Sequence, residues 1–327
     1  MDFGLQVGGM PAAGVRELAA LADEGGFRYL TVPDHFVLEE PGSGLDLTKP
    51  SLEAIAVLGA LAAATTRTKI GGMVLCNMFR HPALTAQAVS TLDHLSNGRA
   101  FLGIGAGWTR AEFDMMGIPY PDVKVRLRML DEALHAIRLL WTEERANYTG
   151  EFYQLTDAVC VPQPVQKPQP PILLGGNGKG LLRIAARHAD IVNLTADVGR
   201  AGTVDFGEVA RFNEDAFVAK GEFVRAEAKA LGRDPGAIAM SSIVFMLMIA
   251  DTREAGAAMA GNIAPMFGTD AAGARRLPLA LIGTPEEIVL ELKRREREWK
   301  VSLTILSGAR RDAGTIARFA REILPHV

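Results

Sequence analysis

The chain has little of what announces several common kinds of site. Only two cysteines, Cys76 and Cys160, occur in 327 residues. They are far apart in sequence and form no C-x-x-C motif, so neither a disulfide framework nor a zinc site is indicated, and both read as buried free thiols. Strong charge of either sign is also missing. A formal net charge of -3 and a pI near 6.1 give no global attraction to nucleic acid or to an anionic membrane, so any anion binding must be local. No apolar window approaches the roughly 20 residues that span a bilayer. The start "MDFGLQVGGM" lacks the basic stretch and apolar run of a signal peptide. A cytoplasmic protein with a small-molecule substrate, no metal, and no nucleic-acid or membrane partner is expected.

What the chain does have is regular alternation. With 48% hydrophobic and 22% charged residues it can bury roughly three quarters of its unfolded surface, and residues 1–327 read as a single domain. Apolar runs of strand length stand at residues 3–7, 29–32, 69–75, 100–104, 171–174, 190–194, 239–249 and 301–306. Between them lie amphipathic segments of helical period. Leu127, Leu130, Leu134, Ile137, Leu140 and Trp141, for example, share one face. Thr284-Pro285-Glu286-Glu287 has the form of a capping box and opens a helix predicted to reach Lys300.

Strands apolar on both faces and alternating with helices make a parallel, covered sheet. Eight such units predict an α/β fold, a (β/α)8 TIM barrel. A plain barrel needs about 250 residues, so about 75 remain for insertions. These are placed after the fourth strand ("GWTRAEFDMMGIPYPDVK" and the hairpin-like "NYTGEFYQLTDAVCVPQPVQKPQPP") and after the seventh ("MFGTDAAGARRLPLA"). The Pro-rich piece at 162–171 reads as a stiff connector.

In such a barrel, the strand C-termini and following helix N-termini form the functional rim. Three rim segments carry candidate chemistry. Gly175-Gly176-Asn177-Gly178-Lys179-Gly180 can let backbone N–H groups converge on an anion beside a helix predicted to start at Leu181; it matches neither a Walker loop nor G-x-G-x-x-G, and a tight turn would use the same glycines. "GIGAGW" bares one backbone face through Gly103, Gly105 and Gly107, so that a flat ring could lie there with Trp108 as a wall; close packing would also explain it. "VPDHF" ends the second strand in Asp34 and His35. His35 is the one histidine of six at a strand end and suits proton transfer, although a satisfied core histidine is the alternative.

Together with "HPALTAQAVSTLDHLSNGRAFLGIGAGW", "RLRMLDEALHAIRLLW" and "VQKPQPPILLGGNGKG", these segments resemble the bacterial luciferase-like family of flavin and deazaflavin oxidoreductases over nearly the whole chain. "PDHF" resembles the branch that uses coenzyme F420. The resemblance implies that Asp34 contacts the ring system and that His35 donates or accepts a proton. It places a bulge with a cis peptide at Met73-Val74, next to Gly72, behind the ring. It sets Ala106, Gly107 and Trp108 beside the ring, and Gly175 to Gly180 at the phosphate. It also implies a homodimer. Arg80, Arg310 and Arg311 are candidates to meet the anionic tail of the coenzyme, or else solvated surface charges. One departure stands out. Sugar-phosphate dehydrogenases of this branch carry Glu directly after the Gly-x-Gly of the fourth strand, and here Trp108 holds that position, so His35 would manage protons alone or with groups from the insertions. The expected function is hydride transfer between the deazaflavin C5 and a small organic substrate. An FMN-dependent two-component monooxygenase and a non-catalytic cofactor-binding protein are the alternatives.

Overall fold

The computed structural model describes residues 1–40, 44–46, 51–196, 206–307 and 313–327. Nine hydrogen-bonded segments form one parallel sheet, and two of them, Lys69–Gly72 and Leu75–Cys76, are halves of a single strand interrupted at Met73 and Val74. The first half pairs with the second strand and the second half with the fourth, which closes eight strands into a barrel. The others are Asp2–Gln6, Tyr29–Val32, Leu102–Gly105, Ile172–Gly176, Ile191–Leu194, Ala239–Val244 and Val301–Ser307. Each expected strand is present.

The barrel interior is filled by inward side chains that include Tyr29, Phe101, Leu173, Ile191, Ile243 and Ile305. A larger apolar layer lies between strands and helices. It includes the face of the helix Val123–Thr142 read from sequence, where Leu130, Leu134, Ile137, Leu140 and Trp141 are buried. Burying a dozen such side chains at roughly 1.5–3 kcal/mol each is what opposes the chain entropy.

One expectation is corrected and another refined. The run at 239–249 is not one strand: after Val244 the backbone turns out of the barrel at Phe245, and Met246–Ile249 pairs in parallel with Ala280–Gly283 instead. Apolar pattern alone cannot show this change of partner. The helix opened at Thr284 is α-helical only to Arg294 and reaches its predicted end at Lys300 through a π-helical turn, Arg295–Trp299; its capping box at Thr284 and Glu287 is present with both reciprocal bonds. The insertion after the fourth strand contributes a helix, Arg110–Met116, and a hairpin, Ala146–Thr149 with Gln154–Ala158, whose Tyr153 hydroxyl accepts from Asn77 Nδ2 near the rim. Cys76 and Cys160 are buried and free.

At the other end of the barrel, Asp23 closes the helix Ala12–Glu24 onto the turn before the third strand. Its carboxylate accepts from the backbone N–H groups of Thr66, Arg67 and Thr68 and from the Thr66 hydroxyl. Burial opposes its ionisation, but those donors outweigh the penalty and pull its pKa from 3.8 down to about 2. A depressed carboxylate stabilises the fold above its unfolded pKa, and that contribution is lost as the pH falls through the folded value. Asp23→Asn should therefore cost about 1–2 kcal/mol at pH 7, and the gap between variant and wild type should close between roughly pH 4 and pH 2 in urea titrations. A gap independent of pH would contradict this reading.

Candidate active site

His35 lies three residues past the second strand, at the barrel rim. Its Nδ1 is 2.8 Å from Oε2 of Glu112, while the other carboxylate oxygen accepts from the backbone N–H of Phe36 (2.6 Å) and of Val37 (3.1 Å). Glu112 comes from the first turn of the insertion helix Arg110–Met116 and is 1% exposed. The carboxylate absent at position 108 is thus supplied four residues later, from a different direction. Trp108 itself stands edge-on to the imidazole, with ring centroids 5.6 Å apart and planes at 74°. It is carried there by Gly107, whose φ of 78° would strain any residue with a Cβ.

Asp34 is buried and fully engaged. Arg80 grips both of its oxygens, at 2.6 and 2.9 Å, and the backbone N–H of Cys76 adds a bond at 2.8 Å. The second face of Arg80 meets Glu53 at 2.6 Å. Burial disfavours the Arg80 charge, but the bonds and charge of Asp34 and Glu53 outweigh it and raise its pKa. Arg80 is therefore not a free cation awaiting an anionic tail; Arg310 and Arg311 lie outside the described residues. Cys76 is no nucleophile: burial first, and then the nearby charges of Asp34 and Glu112, push its thiol up to about 12.

Met73-Val74 is a cis peptide, at the position the resemblance indicated. Gln6 Nε2 donates to the Met73 carbonyl at 2.7 Å, and Met73 N–H donates to Val32 at 2.8 Å. The Val74 methyls fill the room left by two glycines: a Cβ on Gly105 or Gly175 would come within 2.8 or 2.9 Å of them. The result is a short apolar ledge between the third, fourth and fifth strands, with Gly72 and Met73 just before Val74 in the chain and the buried Ala106 just after Gly105.

The glycine loop is shorter than expected. The fifth strand continues through Gly175 and Gly176, and the helix opens at Lys179, so only Asn177 and Gly178 stand between them. Gly178 offers no side-chain cap, and the first-turn N–H groups of a helix have no intrahelical acceptor. Such a donor set fits a phosphate. Lys179 is exposed on that turn, near Gly180. Lys220, from the helix Glu214–Ala230, donates to the Asn177 carbonyl at 3.0 Å and adds a second cation that sequence reading did not find. The remaining buried histidine pair, His188 with Asp131 at 2.8 Å, lies at the far end of the same helix from the rim, and burial holds His188 below the ordinary range. Among the described residues no cluster of side chains suits a metal ion, and no helix is long and apolar enough to cross a membrane.

A closed parallel barrel covered by helices is the fold expected of a luciferase-like protein. The chain belongs to the luciferase-like monooxygenase family, whose profile matches residues 2–300. Curated relatives include an F420-dependent glucose-6-phosphate dehydrogenase of Kineococcus radiotolerans, 37% identical over 175 residues (53% of this chain, 50% of that protein). Another is an FMNH2-dependent dimethylsulfone monooxygenase of Pseudomonas putida, 31% identical over 175 residues (54% of this chain, 46% of that protein). The chain spans about half the length of these relatives. The solved structure of a coenzyme F420-dependent tetrahydromethanopterin reductase from Methanopyrus kandleri shares the fold, with a TM-score of 0.77 and 19% identity over 99% of both chains.

The geometry around Asp34 is asymmetric in a measurable way. Asp34→Asn weakens a buried, doubly gripped partner of Arg80 and should cost about 2–3 kcal/mol in denaturant titrations. Glu53→Gln removes the half-exposed partner and should cost less than about 1 kcal/mol. Equal costs would show that Arg80 is held as firmly from the solvent side.

Proposed function

We propose that the protein is an F420-dependent oxidoreductase that moves a hydride between the deazaflavin C5 and a small organic substrate. The observation that carries this reading is the Asp34-His35 pair just past the second strand, with the His35 imidazole edge-on to Trp108 and hydrogen-bonded to Glu112. When bound, the deazaflavin supplies the two-electron chemistry. The chain's own groups do the rest. The ledge around Val74 offers a surface without protruding polar atoms for one face of a flat ring. The helix start at Gly178 to Gly180, with Lys179 and Lys220 close by, offers donors and positive charge to a phosphate. His35 gives or takes, at Nε2, the proton that accompanies the two electrons, a role typically worth 10²- to 10⁴-fold. Asp34 fixes Arg80 and, through the Cys76 N–H, the end of the strand segment Leu75–Cys76.

The likeness to an FMNH2-dependent monooxygenase favours a second reading, in which reduced FMN occupies the same mouth. Titration of the purified protein with F420, FMN and FAD separates the two. At least about tenfold tighter binding of F420, or ~1.4 kcal/mol, is expected, whereas a protein that purifies yellow with stoichiometric FMN would favour the monooxygenase. His35→Ala should lower kcat by about 10²-fold or more with little change in cofactor affinity, judged by steady-state kinetics beside a binding titration. Loss of affinity with kcat preserved would reduce His35 to a ring contact.

The phosphate reading has a test that does not depend on the substrate. Gly178 has ordinary backbone angles, and nothing stands within 4 Å of where its Cβ would be. Gly178→Asp should therefore fold, and an Asp at that position caps the helix, so stability should hold or rise by up to about 1 kcal/mol. The same carboxylate would occupy the anion position, and affinity for the phosphate-bearing cofactor should fall by about tenfold or more. Stable folding with undiminished affinity would move the phosphate elsewhere.

A further inference from the structure

We propose that Glu112 is a positioning residue that fixes the tautomer of His35, placing the proton on Nδ1 and presenting Nε2 to the barrel mouth. The inference rests on the reading of His35 as the proton-transfer group. A carboxylate that is ionised has only acceptor capacity, so its contact with Nδ1 is a hydrogen bond only when Nδ1 carries the proton. The neutral ring then has its lone pair on Nε2, and the protonated ring has its one remaining N–H there. In both states Nε2 is the atom that exchanges a proton with a substrate, and no rotation of the ring is needed between them.

The arrangement is specific to this carboxylate. Thr109-Arg110-Ala111-Glu112 has the sequence form of a capping box, with Thr at the N-cap and Glu three residues on. No such box forms: Thr109 makes no side-chain cap bond, and its Oγ1 is buried without a partner. The Glu112 side chain instead turns to residues 35–37, where one oxygen takes two backbone N–H groups and the other takes the imidazole. Trp108, edge-on to the ring, restrains it from another side.

The two backbone donors make glutamine an informative replacement. In Glu112→Gln the amide oxygen must stay on Phe36 and Val37 N–H, because the NH2 group cannot accept from them. The NH2 then points at Nδ1, which can only accept, and the neutral ring must carry its proton on Nε2. Shape and the loop contacts are kept while the tautomer is reversed.

The experiment is a long-range ¹⁵N–¹H correlation spectrum of histidine-labelled, cofactor-free protein at a pH where imidazoles are neutral, with His35→Ala to identify the resonances. Wild-type His35 should show the Nδ1–H pattern. His81 provides an internal reference of the opposite kind, since its Nδ1 accepts from the Ala83 backbone N–H at 3.2 Å. Glu112→Gln should convert His35 to the Nε2–H pattern, lower kcat by about tenfold or more, and leave cofactor affinity within about twofold. Wild-type His35 with its proton on Nε2 overturns the inference, as does a Glu112→Gln spectrum that still shows Nδ1–H. Reversal of the tautomer with kcat intact supports the control by Glu112 and removes the proton role of His35 instead. Should the glutamine variant fail to fold, the wild-type spectrum decides on its own whether the assigned tautomer stands.

Discussion

The mouth of this barrel depends on how its neighbours hold the third strand where it leaves its line at Met73 and Val74. The first strand reaches it through Gln6, the second through the Val32 carbonyl and the Asp34 carboxylate, and the fourth and fifth make room through Gly105 and Gly175. Each contact is individually modest, near 1 kcal/mol net for a typical hydrogen bond. They converge on Met73, Val74 and Cys76, however, and none of them can be lost without exposing a backbone group or overpacking a glycine strand. Interiors this close-packed have few intermediate arrangements. The ledge is therefore a property of five strands at once, and the residues that seem to belong to a site also complete the closure of the sheet.

Electrostatics divides the same rim into two compartments. Asp34, Arg80 and Glu53 form a chain that runs from the buried residue past the second strand outward, with one guanidinium shared by two carboxylates. Glu112 turns to His35 and two backbone donors, and among the described residues no arginine pairs with it. Asp34 has a cationic partner, whereas Glu112 is met by backbone N–H groups and stands against the imidazole of His35. Neutral donors steady a negative charge without supplying a competing proton, and that is the difference between the two acids.

Sequence reading recovered the eight strands because each is a short, mainly apolar run that is largely buried, which the sequence pattern makes visible. It recovered the helix start at Thr284 because a capping box is local chemistry. The cis peptide at Met73-Val74 came only from family resemblance; nothing in the residue types there demands it. Glu112 was hidden for two reasons. It meets His35 across 77 positions, and its own neighbourhood offers a local explanation, the unformed box with Thr109, that is cheaper to believe. Lys220 was hidden by distance as well, since 43 residues separate it from Asn177. The run at 239–249 misled because hydrophobic pattern reports burial and not partner, and only the later strand Ala280–Gly283 draws Met246–Ile249 away.

That departure at Phe245 has a further consequence. The segment after the seventh strand packs a small core of its own, with Ala260, Phe267, Ala274, Leu279 and Ile282 among its buried residues, apart from the layer that wraps the barrel. It is fastened from beneath by Arg295, fully buried, whose guanidinium holds the carbonyls of Leu277, Pro278 and Ala280. Arg318 adds a bond to the Ile249 carbonyl and Arg276 an ion pair with Glu214, so the module has an interior of its own and is tied to the barrel layer by polar contacts at its edges. Side chains in that small core can therefore be exchanged while the hydrogen bonds that hold Met73 and Glu112 keep their partners.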